Sequence, residues 1–136
     1  MHNLDPRRGE GVPQDDVQAM KWYRLAADQG SASAQFNVGG MYDNGRGVPQ
    51  DDVQAVKWYR LSADQGDADA QSNLGVMYAN GTGVPQNYAQ AHKWFSLAAA
   101  QGDVNGAKNR DLVAKLMTPQ QIAQAQELAR NWSPKK

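Results

Sequence analysis

The sequence predicts an all-α fold, a right-handed α-solenoid of antiparallel helix pairs, and three observations lead to it. First, the stretch GVPQDDVQAVKWYRLSADQG at residues 47–66 recurs 36 residues earlier and, more loosely, 36 residues later. Second, helix-capping residues and glycines recur at fixed places in each copy. Third, the apolar residues between them fall at helical spacing. A unit of this length usually holds two helices, which cannot bury a core alone, so neighbouring pairs are expected to stack.

The residues after each Val-Pro-Gln predict the second helix of a unit. In the middle copy Asp51 is the predicted N-cap, and Gln54 three residues later has the spacing of a capping box. Gly66 is expected to end the helix with a positive φ. The apolar residues between these signals fall mostly on one stripe: Val53, Ala55, Trp58, Tyr59, Leu61 and Ala63.

The residues that follow Gly66 predict the first helix of the next unit. Asp67 is its predicted N-cap, and Ser31 and Asp103 hold the same position in the other copies. The helix should run to about Ala79, where the turn NGTG, with glycines that allow positive φ, returns the chain to the next Val-Pro-Gln. The apolar positions of this helix are Ala70, Leu74, Met77 and Tyr78.

These motifs resemble a known repeat. The pattern A-x-x-x-L-G-x-x-Y-x-x-G-x-G-V at residues 70–84, followed by A-x-K-W-Y/F-x-x-A-A-x-Q-G, is similar to the Sel-one-like repeat, a relative of the tetratricopeptide repeat. In that family's frame, residues 31–66 and 67–102 are complete 36-residue repeats. Residues 9–30 correspond to the second helix only, so the chain is expected to start in mid-repeat.

Residues 103–136 depart from the repeat and predict a C-terminal capping helix pair. Arg110 stands at a core leucine position of the repeat, which alters the first helix of this pair. The second helix should begin with Thr118 as its cap, Pro119 at the first helical position and Gln121 three residues after the cap. A solenoid needs a terminal unit of this kind because its outermost face meets water.

The composition excludes several classes of function. The 136 residues include 14 Lys or Arg and 14 Asp or Glu, and a net charge of zero argues against nucleic acid as the partner. The chain has no cysteine, so it has no disulfide framework. No apolar run is long enough for membrane insertion. The compartment stays open: cytoplasmic as the chain is written, or periplasmic or secreted if a signal peptide has been removed.

Three patterns could suggest chemistry, and for each we favour a structural interpretation. The ladder of Trp22, Trp58 and Trp94 could stack bases, but aromatic residues at helical spacing in stacked repeats usually form the core. The aspartates lack the spacing of a calcium-binding loop and fit helix caps. His92 has no second histidine at ligand spacing. We therefore expect no metal ion and no cofactor.

A fourth pattern raises the question of an enzyme. The residues SPKK at 133–136 fit S-x-x-K, a motif of β-lactam hydrolases, an activity once linked to some members of the resembled family. The motif lies in the tail and lacks the second serine motif and the K-T-G strand of those enzymes. No nucleophile–base pair accompanies it. We predict a protein that is not an enzyme, and a hydrolase is a remote alternative.

The differences between repeats indicate where binding would occur. Residues 11–46 and 47–82 differ at nine positions, and four of these, inside the first helix, are spaced i, i+3, i+7 and i+10 on one face. In tetratricopeptide-type arrays, which the repeat resembles, this face lines the concave groove that holds peptides and partner proteins. The predicted partner-binding residues are Ser33, Phe36, Gly40, Asp43, Asp69, Ser72, Val76, Ala79, Asn105 and Lys108. The predicted groove edge consists of Asn37, Asn73 and Asn109.

The positions of the side chains in a structure can contradict two of these predictions. Phe36 lies outside the repeated aromatic ladders and is expected to be an exposed anchor for a partner. The asparagines at period 36 are expected to bond the neighbouring repeat more often than a ligand. The competing explanation for the whole variable face is that a solvent-exposed surface drifts in sequence whether or not it binds anything.

The sequence and the resemblance together predict a non-catalytic scaffold or adaptor that binds a peptide or a partner protein on its concave face. The resemblance implies adaptor roles in bacterial signalling, envelope and host-interaction pathways. One branch of the resembled family implies the alternative, an immunity or inhibitor protein that sequesters a toxic effector enzyme. We also expect self-association through the N-terminal half repeat, because uncovered apolar ends of solenoids are sticky.

Overall fold

The computed structural model describes residues 14–135, and within that range it contains α-helices and no strand. Residues 9–13 of the predicted half repeat, and residue 136, therefore lie outside the described part of the chain. The helices are α1 Gln14–Asp28, α2 Ala32–Asn44, α3 Asp52–Asp64, α4 Ala68–Asn80, α5 Tyr88–Ala100, α6 Val104–Ala114 and α7 Pro119–Arg130.

From α1 to α6 each helix packs on the next helix in sequence, which is the stacking expected of a solenoid. The predicted all-α fold is confirmed. The cap differs in one respect from the predicted helix pair, because α7 packs chiefly on α5 rather than on α6. The ring of Trp132 meets Trp94 edge to face, with centroids 6.2 Å apart, and the Lys135 backbone N–H donates to the Asp64 carbonyl at 2.7 Å. These contacts draw α7 across the ends of α3 and α5.

Local sequence signals explain where the helices begin. The side chain of each predicted cap accepts a hydrogen bond from the backbone N–H three residues later, at Ser31, Asp51, Asp67, Asn87, Asp103 and Thr118. At Thr118 the reciprocal bond is also present, because Gln121 Oε1 accepts from the Thr118 N–H at 2.9 Å. The capping box predicted at Thr118 is therefore confirmed, whereas at Asp51 the cap is present without the reciprocal bond from Gln54. Gly66 has the expected positive φ, 103°.

The tryptophan ladder is buried at two of its three positions. Trp58 is 5% exposed and packs with Met20 and Val38 of the preceding helices, while Trp94 is 1% exposed in the next cluster along the chain. Trp22 is 68% exposed, so the expectation that all three form the core is wrong for it. The reason is positional, because Trp58 and Trp94 each pack against the two helices that precede their own helix. For Trp22, in α1, no such helices stand among residues 14–135.

Glycines at one position let the two helices of a unit approach closely. A Cβ added at Gly39 would lie 2.7 Å from Cδ1 of Tyr59, and one added at Gly75 would lie 2.6 Å from Cδ1 of Phe95. The aromatic ring of the second helix therefore lies flat on the glycine of the first. This contact explains why Gly39 and Gly75 are identical in the two best copies.

Glutamines form a repeated clamp between consecutive units, which the sequence reasoning missed. Gln65 Nε2 donates to the Gly30 carbonyl at 2.9 Å and to Gln35 Oε1 at 2.8 Å. One unit later, Gln101 Nε2 donates to the Gly66 carbonyl at 2.8 Å and to Gln71 Oε1 at 3.0 Å. The signal was present in the sequence, because both glutamine positions recur with the period of the repeat.

Candidate functional site

The first helices of successive units, α2, α4 and α6, carry the predicted binding residues, and we call the surface along them the groove. Four cavities lie along this groove, with volumes of about 210, 390, 290 and 500 Å³. Every predicted partner-binding or groove-edge residue lines at least one of them, except Ser33 and Lys108, which are solvent-exposed side chains outside these cavities.

The cavity of about 210 Å³ lies between α1 and α2. Phe36, Asn37 and Gly40 line it together with Tyr23 and Arg46. Phe36 is half-buried, which corrects the expectation of a freely exposed anchor. Its ring stacks at a tilt on the buried ring of Tyr59, with centroids 5.7 Å apart, and so part of its surface serves the core.

The cavity of about 390 Å³ lies between the start of α4 and the start of α6. Asp69, Asn73 and Asn105 line it with their polar side chains. Ser72 also contributes, but it is only 7% exposed, so most of this side chain is not available to a partner. Ser72 stands at the repeat position of Phe36. The smaller side chain therefore leaves space in the groove and offers a partner little contact of its own.

The cavity of about 290 Å³ contains a half-buried acidic side chain, that of Asp43. Asp43, Asn73 and Val76 line it. The Tyr59 hydroxyl donates to Asp43 Oδ2 at 3.1 Å. Burial raises the pKa of Tyr59 well above its ordinary value, and the Asp43 carboxylate raises it further, whereas the nearby Asn73 side chain acts in the opposite direction. Tyr59 thus stays a neutral donor that orients the carboxylate.

The cavity of about 500 Å³ lies between α4 and α6, and both apolar and amide side chains line it. Val76, Ala79 and Asn109, all predicted binding residues, line it. Leu112 and Leu116 also line it and are 58% and 63% exposed. Sequence reasoning missed these two leucines because they lie where the repeat pattern decays, although Leu112 occupies the repeat position of Gly40 and Val76.

The asparagine ladder faces the cavities of the groove. Asn37, Asn73 and Asn109 each line at least one cavity, and none of them forms a side-chain hydrogen bond of normal geometry within residues 14–135. The bonds between units that were expected of this ladder are made mainly by the glutamine clamp.

The residues considered for catalysis or metal binding are not brought together. Ser133 is exposed beyond α7, and Lys136 of the same motif lies outside the described residues. His92 is buried in α5 with its Nδ1 3.4 Å from Ser96 Oγ. Within residues 14–135 no group of three or more His, Asp or Glu side chains is placed to hold a metal ion. None of the helices described is long and apolar enough to cross a bilayer.

Similarity to known proteins agrees with this architecture. The model of the Sel1 repeat matches residues 7–31, 32–67 and 68–103. The crystal structure of a protective antigen present in uropathogenic Escherichia coli strains, which displays an SLR fold, is 38% identical over 89% of this chain, with a TM-score of 0.85. A Sel1 repeat protein from Oxalobacter formigenes is 40% identical over 77% of this chain, with a TM-score of 0.71.

A third structure is more distant. Cysteine-rich protein B of Helicobacter pylori is 27% identical over 65% of this chain and 67% of its own, with a TM-score of 0.63. The chain spans 26% of the Escherichia coli antigen and 43% of the Oxalobacter formigenes protein. No curated protein matches the sequence.

Stacked helix pairs joined by short glycine turns make this protein an all-α repeat solenoid. The chain belongs to the Sel1 repeat family. Members of this family generally mediate protein–protein interactions and are generally non-catalytic.

Proposed function

We propose that this chain is a non-catalytic interaction module that binds a peptide or a partner protein along the groove. One observation carries the proposal: the variable face of the first helices, at Phe36/Ser72, Gly40/Val76 and Asp43/Ala79, lines a row of cavities, while the opposite, unchanged positions Ala34/Ala70 and Gly39/Gly75 are buried. Solenoids use such extended surfaces for binding. The units we propose remain a half repeat at 9–30, repeats at 31–66 and 67–102, and a cap at 103–136.

A capture experiment with matched variants tests this proposal. The chain serves as bait in a native lysate beside Val76→Asp/Leu112→Asp, which places two charges in the groove, and beside Val104→Asp. Val104 is 66% exposed on α6 and lines none of the four cavities, so its variant controls for an added surface charge. We expect one protein to be captured by the original chain and by the control but not by the groove variant. Equal capture by all three would contradict the proposal.

We also propose that the outer face of α1 self-associates. Trp22 and Leu25 are exposed there, and Trp22 is the repeat equivalent of the buried Trp58 and Trp94. Exposed apolar patches commonly mark association sites. Sedimentation velocity over a range of concentrations should show a species larger than the monomer, and Trp22→Ser should reduce it. A monomer at all concentrations would contradict the proposal.

A further inference from the structure

Two neighbouring cavities of the groove differ in chemical character and share a wall. The cavity of about 290 Å³ contains the carboxylate of Asp43, and the cavity of about 500 Å³ is lined by apolar side chains. Val76 and Asn80 line both. A ligand that crosses Val76 therefore meets an acidic position on one side and an apolar position on the other.

The acidic position has a carboxylate without a cationic partner in the described part of the chain. The ion pairs among residues 14–135 involve other acids: Asp16, Asp28, Asp64 and Asp111. The Tyr59 hydroxyl occupies Oδ2 of Asp43, which leaves Oδ1 to accept from a ligand. Asp43 is half-buried beside the amides of Asn73 and Asn80, so a bound cation would be partly shielded from water.

The apolar position is built for a side chain without charge. Phe95 and Val113 are buried at its base, and Val76, Leu112 and Leu116 expose apolar surface around it. No charged side chain lines this cavity, while the amides of Asn80, Gln86 and Asn109 lie at its border. Its volume is within the range of about 300–1,000 Å³ typical of sites that bury small ligands or single side chains.

The side chains at equivalent repeat positions change in charge and size from one end of the groove to the other. The position of Asp43 is occupied by Ala79 in α4 and by Lys115 immediately after α6. The position of Gly40 is occupied by Val76 and then by Leu112. Charge therefore changes from negative to positive along the groove as apolar bulk increases, so a basic ligand group is favoured at the α2 end and disfavoured at the α6 end.

We propose that one extended peptide segment of a partner protein occupies both cavities, with a Lys or Arg side chain against Asp43 and a Leu, Met or Phe side chain in the apolar cavity. This inference rests on the proposed function and specifies its ligand. Val76 and Asn80 of α4 lie between the two cavities, so the two anchors are about one helix diameter, about 10 Å, apart. An extended chain advances about 3.1 Å per residue in a polyproline-type conformation, with side chains three residues apart on the same side. The basic and apolar residues are therefore about three positions apart.

A set of designed peptides tests the spacing and the chemistry. Each fluorescent twelve-residue peptide carries one Arg and one Leu in a Gly/Ser/Pro background, with separations of one to six positions. Matched peptides carry Gln in place of Arg or Ser in place of Leu. We expect the tightest binding, measured by anisotropy, at a separation of three. Each replacement should weaken it about tenfold, since each removes one anchor. Binding that is independent of separation or of the Arg would overturn the inference.

Variants of the chain assign each anchor to its cavity. Asp43→Asn keeps an acceptor for Tyr59 but removes the charge, so it should weaken the Arg peptide about tenfold and leave the Gln peptide unchanged. Leu112→Ser should weaken only the peptides that carry Leu. Glu127→Gln is the matched control, because Glu127 is an exposed acid of α7 that lines neither cavity. Helicity and unfolding midpoints should be the same for all three.

The failure of this inference is distinguishable from the failure of the proposed function. If the captured partner is lost with the groove variant but no peptide of the set binds, the groove function stands and the two-anchor peptide is overturned. The same holds if the captured partner is a folded protein that binds equally to Asp43→Asn. Restored binding of a Glu-containing peptide by Asp43→Lys would support the assignment of the charged anchor.

Discussion

At the scale of single residues, packing distances decide which positions the repeat keeps unchanged. Gly39 and Gly40 are neighbours in α2, yet only Gly39 touches the ring of Tyr59 closely enough to exclude a methyl group. A Cβ at Gly40 would approach only the Tyr59 hydroxyl, at 3.8 Å, which is an ordinary contact. The repeat retains the first glycine in both best copies and replaces the second by Val76.

We predict that alanine has opposite effects on stability at Gly39 and at Gly40. Gly39→Ala should destabilise the fold by about 1–3 kcal/mol, because the added methyl overpacks against Tyr59. Gly40→Ala should stabilise it by about 0.5–1 kcal/mol, because alanine is the better helix former and finds space there. Urea unfolding followed by circular dichroism checks both variants. Equal effects of the same sign would show that helix propensity, not the aromatic contact, governs this position.

His92 makes stability depend on pH. Burial lowers the pKa of His92, and the Arg110 guanidinium lowers it further, while Asp111 acts in the opposite direction. The folded state therefore binds the proton less readily than the unfolded state, whose histidine titrates near about 6.5. The free energy of unfolding should accordingly fall as pH decreases below that value.

The test of this dependence uses the residue that the repeat has at the same position. His92→Val copies Val56 and removes the titrating group. Denaturant unfolding of both chains at pH 7.5 and in steps down to pH 5 should show a decrease for the original chain that is absent from the variant. Parallel curves would mean that other groups produce the pH dependence.

At the scale of elements, each second helix is held by the helix pair before it. Trp58 and Trp94 are buried in this way, and Trp22, at the same repeat position, is not. The identity of the residue alone therefore does not determine whether a tryptophan of the ladder is buried. Its burial depends on whether other helices pack against that position.

We predict that replacing a tryptophan of the ladder by alanine changes stability by different amounts at Trp58 and at Trp22. Trp58→Ala should cost about 3–5 kcal/mol, as for truncation of large core side chains. Trp22→Ala should change stability by no more than about 0.5 kcal/mol, since exposed positions usually contribute little. Thermal or urea unfolding at low protein concentration, where self-association is weak, measures both. A large loss for Trp22→Ala would show that its ring is covered in solution.

At the scale of the whole molecule, the sequence predicted what is local and periodic. Caps such as Asp51 and Thr118 act within one turn of helix, so their positions could be read directly. The turn glycines and the core residues repeat, and repetition identified them. The stacking of helix pairs followed from the size of the unit.

Features that depend on distances between helices could not be predicted. The bond between Tyr59 and Asp43 joins residues 16 positions apart whose identities change between repeats. The burial of Ser72 and the partial burial of Phe36 depend on which helix packs above each face. The packing of α7 on α5 depends on Trp132, which lies outside the repeat pattern. The apolar cavity at Leu112 arises only when α4 and α6 are placed side by side.

The central claim is that a partner binds along the groove of α2, α4 and α6, and photo-crosslinking tests it most directly. A photoreactive amino acid is placed at Leu112, inside the groove, or at Val53, an apolar position of α3 that is 65% exposed and lines none of the four cavities. After irradiation in native lysate, we predict one partner crosslinked from position 112 and not from position 53. Crosslinking of that partner from position 53 alone would contradict the account.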